Sequence, residues 1–186
     1  MKEDIENALE VLNNGGVILY PTDTIWGIGC DATNQEAVEK VYKIKKREDS
    51  KALLVLLENP NRLSYYIEDV PEIAWDLIDV NDKPMTIIYP GARNLAKNLI
   101  AEDGSLGIRI TEEDFTKRLI QKFKKPIVST SANISGEKTA QNFSEISNEI
   151  IEAVDYIVQY RQDDLSKAQA SNIIKLGVNG EINIIR

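Results

Sequence analysis

Short apolar runs alternate along this chain with apolar residues at helical spacing. Residues 17–20, 52–57, 85–89 and 106–110 have the length and composition of buried strands. Residues 126–129, 156–158, 172–176 and 182–185 read the same way. Between these runs the period changes. A first helix is predicted over residues 5–13, stopped by Gly15-Gly16. Thr33-Asn-Gln-Glu36 has the form of a capping box and predicts a helix carrying Val38, Val41 and Tyr42 on one face. Pro71 sits at the first turn of a helix over residues 72–78. Thr111-Glu-Glu-Asp114 starts another, with Phe115, Leu119 and Phe123 four apart as its core stripe. A last helix is expected over residues 143–153. Several connections are too short for helical crossovers. The pattern therefore predicts an α/β fold, a single domain over residues 1–186 with a twisted, open, mixed sheet flanked by helices.

Composition narrows the chemistry. The chain has 186 residues, 42% of them hydrophobic and 28% charged, which suits one domain with a sizeable core and argues against long disorder. Cys30 is the one cysteine and there is no histidine. An intrachain disulfide, a multi-cysteine zinc site, a Ser-His-Asp triad and histidine-ligated metal are all excluded. The acidic start, Met1-Lys-Glu-Asp4, is unlike a signal peptide. The longest apolar run, residues 52–57, is too short to span a membrane, so a cytoplasmic setting is expected.

The net charge of −8 disfavours nonspecific coating of nucleic acid. The charge is uneven, however. Lys40, Lys43, Lys45, Lys46, Arg47 and Lys51 stand against only Glu48 and Asp49 in residues 40–51. Residues 117–125 hold five basic side chains and no acidic one. Local basic patches on an acidic chain suit a site for an anionic ligand. A solvated helix face fits the same residues, and for 117–125 it fits better.

Three polar segments follow strands or helices closely enough to form a site. In Tyr20-Pro-Thr-Asp-Thr-Ile-Trp-Gly-Ile-Gly-Cys-Asp31, Pro21 fixes the backbone while Thr22 and Thr24 offer hydroxyls. Gly27 and Gly29 permit close approach, but the third glycine of a dinucleotide fingerprint is missing. A plain turn between two strands explains this segment equally well. In Lys45-Lys-Arg47-Glu-Asp-Ser-Lys51, arginine can grip phosphate bidentately and lysine acts as a point charge, without any Walker sequence. In Ser129-Thr-Ser-Ala-Asn-Ile-Ser-Gly136, four hydroxyls and an amide gather where a strand ends.

In order, these segments resemble the YrdC family of threonylcarbamoyl-AMP synthases. The matching residues are Pro21-Thr-Asp-Thr24, Gly27-Ile-Gly29, Lys45-Lys-Arg47 and Ser131-Ala-Asn133. Pro84-Met-Thr86, Tyr89-Pro-Gly91, Leu106-Gly-Ile-Arg109, Ala170-Ser-Asn-Ile173 and Ile184-Ile-Arg186 extend the likeness over nearly the whole chain. Each piece is weak; the ordered set is specific. The resemblance implies an enzyme, a nucleotidyltransferase joining L-threonine, bicarbonate and ATP into threonylcarbamoyl-AMP and pyrophosphate. Other proteins then pass the threonylcarbamoyl group to adenosine in certain tRNAs, so tRNA and these transfer proteins are expected partners, and no membrane. It places Thr22, Thr24, Arg109, Ser129 and Ser171 with threonine. It places Arg47, Lys51, Ser105, Ser131, Asn133, Thr139 and Arg186 with ATP. Lys45, Arg47 and a magnesium ion would stabilise the charge on the phosphates, with no other metal site implied. No protein nucleophile is required, so the lack of histidine is no obstacle.

Two stretches depart from the family pattern. Thr111-Glu-Glu-Asp114 replaces a Pro-x-His-Pro, and Asp82-Lys-Pro-Met85 replaces a Trp-Pro-Gly-Pro. Longer relatives carry a second domain after a linker; here any lid is expected to come from elsewhere, or the site to stay open. Two other readings share much of the pattern: a non-catalytic binder of double-stranded RNA or tRNA, and a YciO-like paralogue with another substrate. The intact Ser131-Ala-Asn133 argues against the paralogue. The net charge and the lack of an aromatic stacking motif weaken the RNA binder.

Overall fold

The computed structural model of the protein describes residues 1–46, 53–167 and 170–186. Six α-helices occur among them: α1 (Lys2–Asn13), α2 (Gln35–Lys45), α3 (Leu63–Tyr66), α4 (Glu72–Val80), α5 (Asp114–Phe123) and α6 (Asn148–Ala153). The strands are β1 (Ile18–Tyr20), β2 (Gly27–Gly29), β3 (Leu54–Leu57), β4 (Met85–Tyr89), β5 (Leu106–Ile110), β6 (Ile127–Ser131), β7 (Tyr156–Ile157), β8 (Asn172–Leu176) and β9 (Ile182–Ile184). They form one sheet in the order β7-β1-β2-β6-β3-β5-β4-β8-β9. β1–β7, β3–β5 and β4–β8 run parallel and the other pairs antiparallel, so the expected mixed, open sheet is present.

Local chemistry explains the element ends. Helix α2 is capped one residue later than the capping box predicts. The Asn34 side chain accepts from the amides of Glu36 and Ala37. Thr33 is drawn away because its hydroxyl donates to the Asp31 carboxylate at 2.6 Å. An amide oxygen does the same work at an N-cap as a hydroxyl, so the helix begins regardless. Helix α5 likewise starts late: Glu113, not Thr111, accepts from the Thr116 amide. The expected long helix over 143–153 is a 3-10 turn, Phe143–Glu145, followed by α6. Gly27–Gly29, readable as part of a turn, is a strand and pairs on both sides.

The core follows from the strand period. Ile28, Val55, Ile87, Ile108, Val128 and Ile174 all lie at or below 8% exposure. Helix α5 adds Phe115, Leu119 and Phe123, the stripe expected from their spacing, and also Ile120. Alternate strand positions point to the opposite face of the sheet. Cross-strand register aligns those positions from strand to strand. Gly27 lies beside Ser131, Ser129 beside Leu54, Leu54 beside Gly107, Gly107 beside Ile88, and Thr86 beside Ile173. This second face carries small, hydroxyl and cationic residues.

Candidate functional site

That second face is the floor of a cavity of about 630 Å³. The floor contributes Leu54, Thr86, Ile88, Gly107, Arg109, Ser129, Ser131, Ser171, Ile173 and Lys175. The walls are Thr24, Ile25, Trp26, Thr139, Gln141 and Arg186. Trp26 is braced by Phe143, with ring centroids 4.9 Å apart. Gly107 keeps the floor low, since a Cβ there would sit 3.3 Å from Thr86 Cγ2. The size suits a nucleotide-sized or drug-sized ligand. Among the described residues the lining holds three cationic side chains, Arg109, Lys175 and Arg186, and no acidic side chain. Two of these cations pair with acids just outside the lining, Arg109 with Asp23 at 3.2 Å and Lys175 with Asp103 at 2.6 Å.

Of the three cations Arg109 is the most buried. Its side chain is 3% exposed and its Nη2 stands 3.2 Å from Asp23 Oδ1. Its Nε is buried without an acceptor. Burial pulls the Arg109 pKa down, while the Asp23 charge opposes that fall. A guanidinium with donors to spare at the base of a cavity is a receptor for a carboxylate or phosphate.

Hydroxyls surround it. Thr22 donates to the Ile25 carbonyl at 2.7 Å and accepts from the Thr24 amide at 3.1 Å. Its one proton is thus committed, so the 3.0 Å contact between the two hydroxyls is donated by Thr24. Thr24 is left presenting lone pairs, suited to a ligand amine or hydroxyl donor. Thr86 and Ser171 hydroxyls lie 2.9 Å apart. Beneath the floor, Tyr20 donates to the Val128 carbonyl at 3.0 Å, and burial pushes its phenol up, opposed by a hydrogen bond with Ser129.

At the other end, Asp103 accepts from the Ser105 hydroxyl at 2.5 Å, the Ser105 amide at 3.0 Å and Lys175 Nζ at 2.6 Å. Bonds from Lys175 and Ser105 hold the Asp103 carboxyl down at about 2. Arg186 Nε donates to the Ser171 carbonyl at 3.1 Å.

Thus Thr24, Ser105, Arg109, Ser129, Ser131, Thr139, Ser171 and Arg186, far apart in sequence, meet in one cavity. Thr22 stands behind Thr24, at 3% exposure. Lys45 and Asn133 do not line the cavity. Val38, Val41, Tyr42 and Lys45 fall on one face of α2, and all are buried. Lys45 Nζ donates to the carbonyls of Ser131 and Asn133, each at 2.6 Å. Asn133 Nδ2 donates to the carbonyls of Ile134 and Glu137, both at 2.9 Å. The two side chains shape the loop that presents Ser131. Arg47 and Lys51 lie outside the described residues. Asp23 and Thr86 stand inside the matched motifs without an assigned role, and Gln141 and Lys175 fall outside them. Thr86 and Lys175 had a signal, as polar residues at alternate positions of otherwise apolar strands.

The Sua5/YciO/YrdC family model, described as "Telomere recombination", matches residues 10–186. A protein named threonylcarbamoyl-AMP synthase from Pseudoalteromonas translucida is 35% identical over 181 residues, covering 96% of this chain and 95% of that one. Sua5 from P. abyssi, solved with L-threonine, superposes with a TM-score of 0.83 at 21% identity, covering 92% of this chain. This chain spans about half of that protein, 50% of its length. YciO from E. coli superposes with a TM-score of 0.86 at 23% identity, covering 100% of this chain and 89% of that one. Matched by the family model over residues 10–186 and by a 35%-identical relative over most of both chains, this chain belongs to the Sua5/YciO/YrdC family.

Proposed function

We propose that this chain is a threonylcarbamoyl-AMP synthase, consuming L-threonine, bicarbonate and ATP and releasing threonylcarbamoyl-AMP, pyrophosphate and water. The product would serve threonylcarbamoylation of tRNA by downstream transfer proteins. The observation that carries the reading is the cavity itself: among the described residues it is lined by three cationic side chains, no acidic side chain and many hydroxyls, in a chain 35% identical to a protein of that name.

In this reading the deep end takes threonine. Arg109 receives its carboxylate, Thr24 accepts from its amine, and Ser129 and Ser171 receive its hydroxyl, with Thr22 holding Thr24. The amine adds to carbon dioxide from bicarbonate and loses a proton, giving a carbamate. A carbamate oxygen attacks the α-phosphorus and pyrophosphate leaves. Catalysis is then positioning plus charge stabilisation. ATP lies toward Ser105, Ser131, Thr139 and Arg186, and Arg47 and Lys51 are assigned to its phosphates. Magnesium enters with the nucleotide as MgATP. Lys45 and Asn133 act through the loop they brace.

The reading is tested by pyrophosphate release from MgATP in the presence and absence of L-threonine and bicarbonate. Release that requires both is the expected outcome. Release indifferent to threonine would refute it and favour a relative with another substrate.

A further inference from the structure

The motif Pro21-Thr-Asp-Thr24 contains a carboxylate to which the reaction assigns nothing. Asp23 lies in the β1–β2 loop, and Arg109 in β5. In the sheet β2 and β5 are separated by β6 and β3, so the loop reaches across two strands to bring the two side chains together. Their side chains are 11% and 3% exposed, a charge pair largely removed from water.

The contact has an unusual form. Asp23 Oδ1 and Arg109 Nη2 are 3.2 Å apart, yet Asp23 Oδ1 has no hydrogen-bond partner, and neither has Arg109 Nε. The attraction is Coulombic, without the fork-to-carboxylate geometry that would use up the guanidinium's donors. Asp23 itself is tethered at its other oxygen, where Oδ2 accepts from the Glu112 amide at 3.4 Å. Arg109 also feels the like charge of Arg186, which disfavours its protonated form. Asp23 is the one carboxylate paired with Arg109 among the described residues, and it is absent from the cavity lining.

We propose that Asp23 is the positioning residue of the anion receptor. It holds the Arg109 guanidinium in place by charge from behind and leaves donors available for the carboxylate of the amino-acid substrate. It does not touch the ligand. The inference rests on the synthase reading above and adds the origin of its selectivity for an amino acid over an amino alcohol.

The test compares wild type with Asp23→Asn, which keeps the shape and removes the charge, and with Asp23→Glu. Folding is checked by circular dichroism. L-threonine and L-threoninol, which lacks the carboxylate, are titrated by calorimetry, and KM values are taken from pyrophosphate release. Wild type should prefer threonine. Asp23→Asn should raise the threonine Kd and KM at least tenfold, leave the KM for ATP within twofold, and leave threoninol binding unchanged. Asp23→Glu should recover part of the preference. In an Arg109→Ala background the Asp23→Asn change should add nothing, because the two act as one unit. A folded Asp23→Asn variant that keeps the wild-type preference overturns the proposal while the synthase reading stands. An equal loss of threonine and threoninol binding overturns it too, assigning Asp23 to the structure of the loop. Wild type that binds neither ligand overturns both.

Discussion

Replacing Lys45 separates two roles that one lysine could play. If its ammonium met the phosphates, its loss would slow the reaction and leave the fold alone. The structure instead buries it at 2% exposure, with two carbonyls at 2.6 Å. Lys45→Met keeps the aliphatic stem that packs along α2 and removes the charge. Each bond from an ionised donor is worth roughly 1.5–3 kcal/mol. Removing the ammonium also removes its own burial penalty, which offsets part of that sum. The net loss is about 3 kcal/mol, or roughly 6–12 °C in Tm for a domain of this size. The assay is thermal and urea unfolding of both proteins, alongside their KM for ATP. We expect a lower Tm and a raised KM, because residues 131–137 lose their brace. Unchanged stability with turnover abolished would refute the reasoning and return Lys45 to the phosphates.

Two further predictions concern stability. A Cβ at Gly29 would collide with the Val128 carbonyl and sit 2.6 Å from Tyr20 Cε1, so Gly29→Ala should destabilise by about 2–3 kcal/mol in urea unfolding. Asp103 has its pKa lowered from 3.8 to about 2, chiefly by Lys175 and Ser105. Its contribution is present above pH 4 and lost as pH falls toward 2. With the carboxylate 53% exposed, solvent screens the pair and the gain stays below ~1 kcal/mol. The gap in urea midpoint between wild type and Asp103→Asn should accordingly narrow between pH 4 and pH 2.

Much of this architecture is legible in the sequence, for physical reasons. β4, β5 and β8 occupy the predicted residues because their apolar runs are bounded by polar, proline or glycine residues. The Phe115, Leu119, Phe123 stripe identifies α5 because four-residue spacing keeps one face turned inward. Gly27–Gly29 is hidden as a strand because its pairing partners, β1 and β6, supply the order that two glycines do not. The cap of α2 shifts because Asp31, two residues upstream, captures the Thr33 hydroxyl. The site was partly legible in the same way. Arg109 and Ser171 meet only because β5, β4 and β8 are neighbours, which ordered motifs hint at and periodicity does not show. The inward turn of Lys45 follows from its helical register with Val38 and Val41, yet a cation in a basic run reads as surface until the helix is placed. Asp23 gained a role only once a residue 86 positions away was brought to 3.2 Å.

The most direct consequence of the proposed chemistry is that carbon from bicarbonate ends between threonine and AMP. It is tested by incubating the protein with MgATP, L-threonine and 13C-bicarbonate and analysing the nucleotides by mass spectrometry. The expected product is an AMP adduct carrying one threonine and one labelled carbon, absent when threonine is left out. ATP consumed without such an adduct, or a labelled adduct formed without threonine, would contradict it.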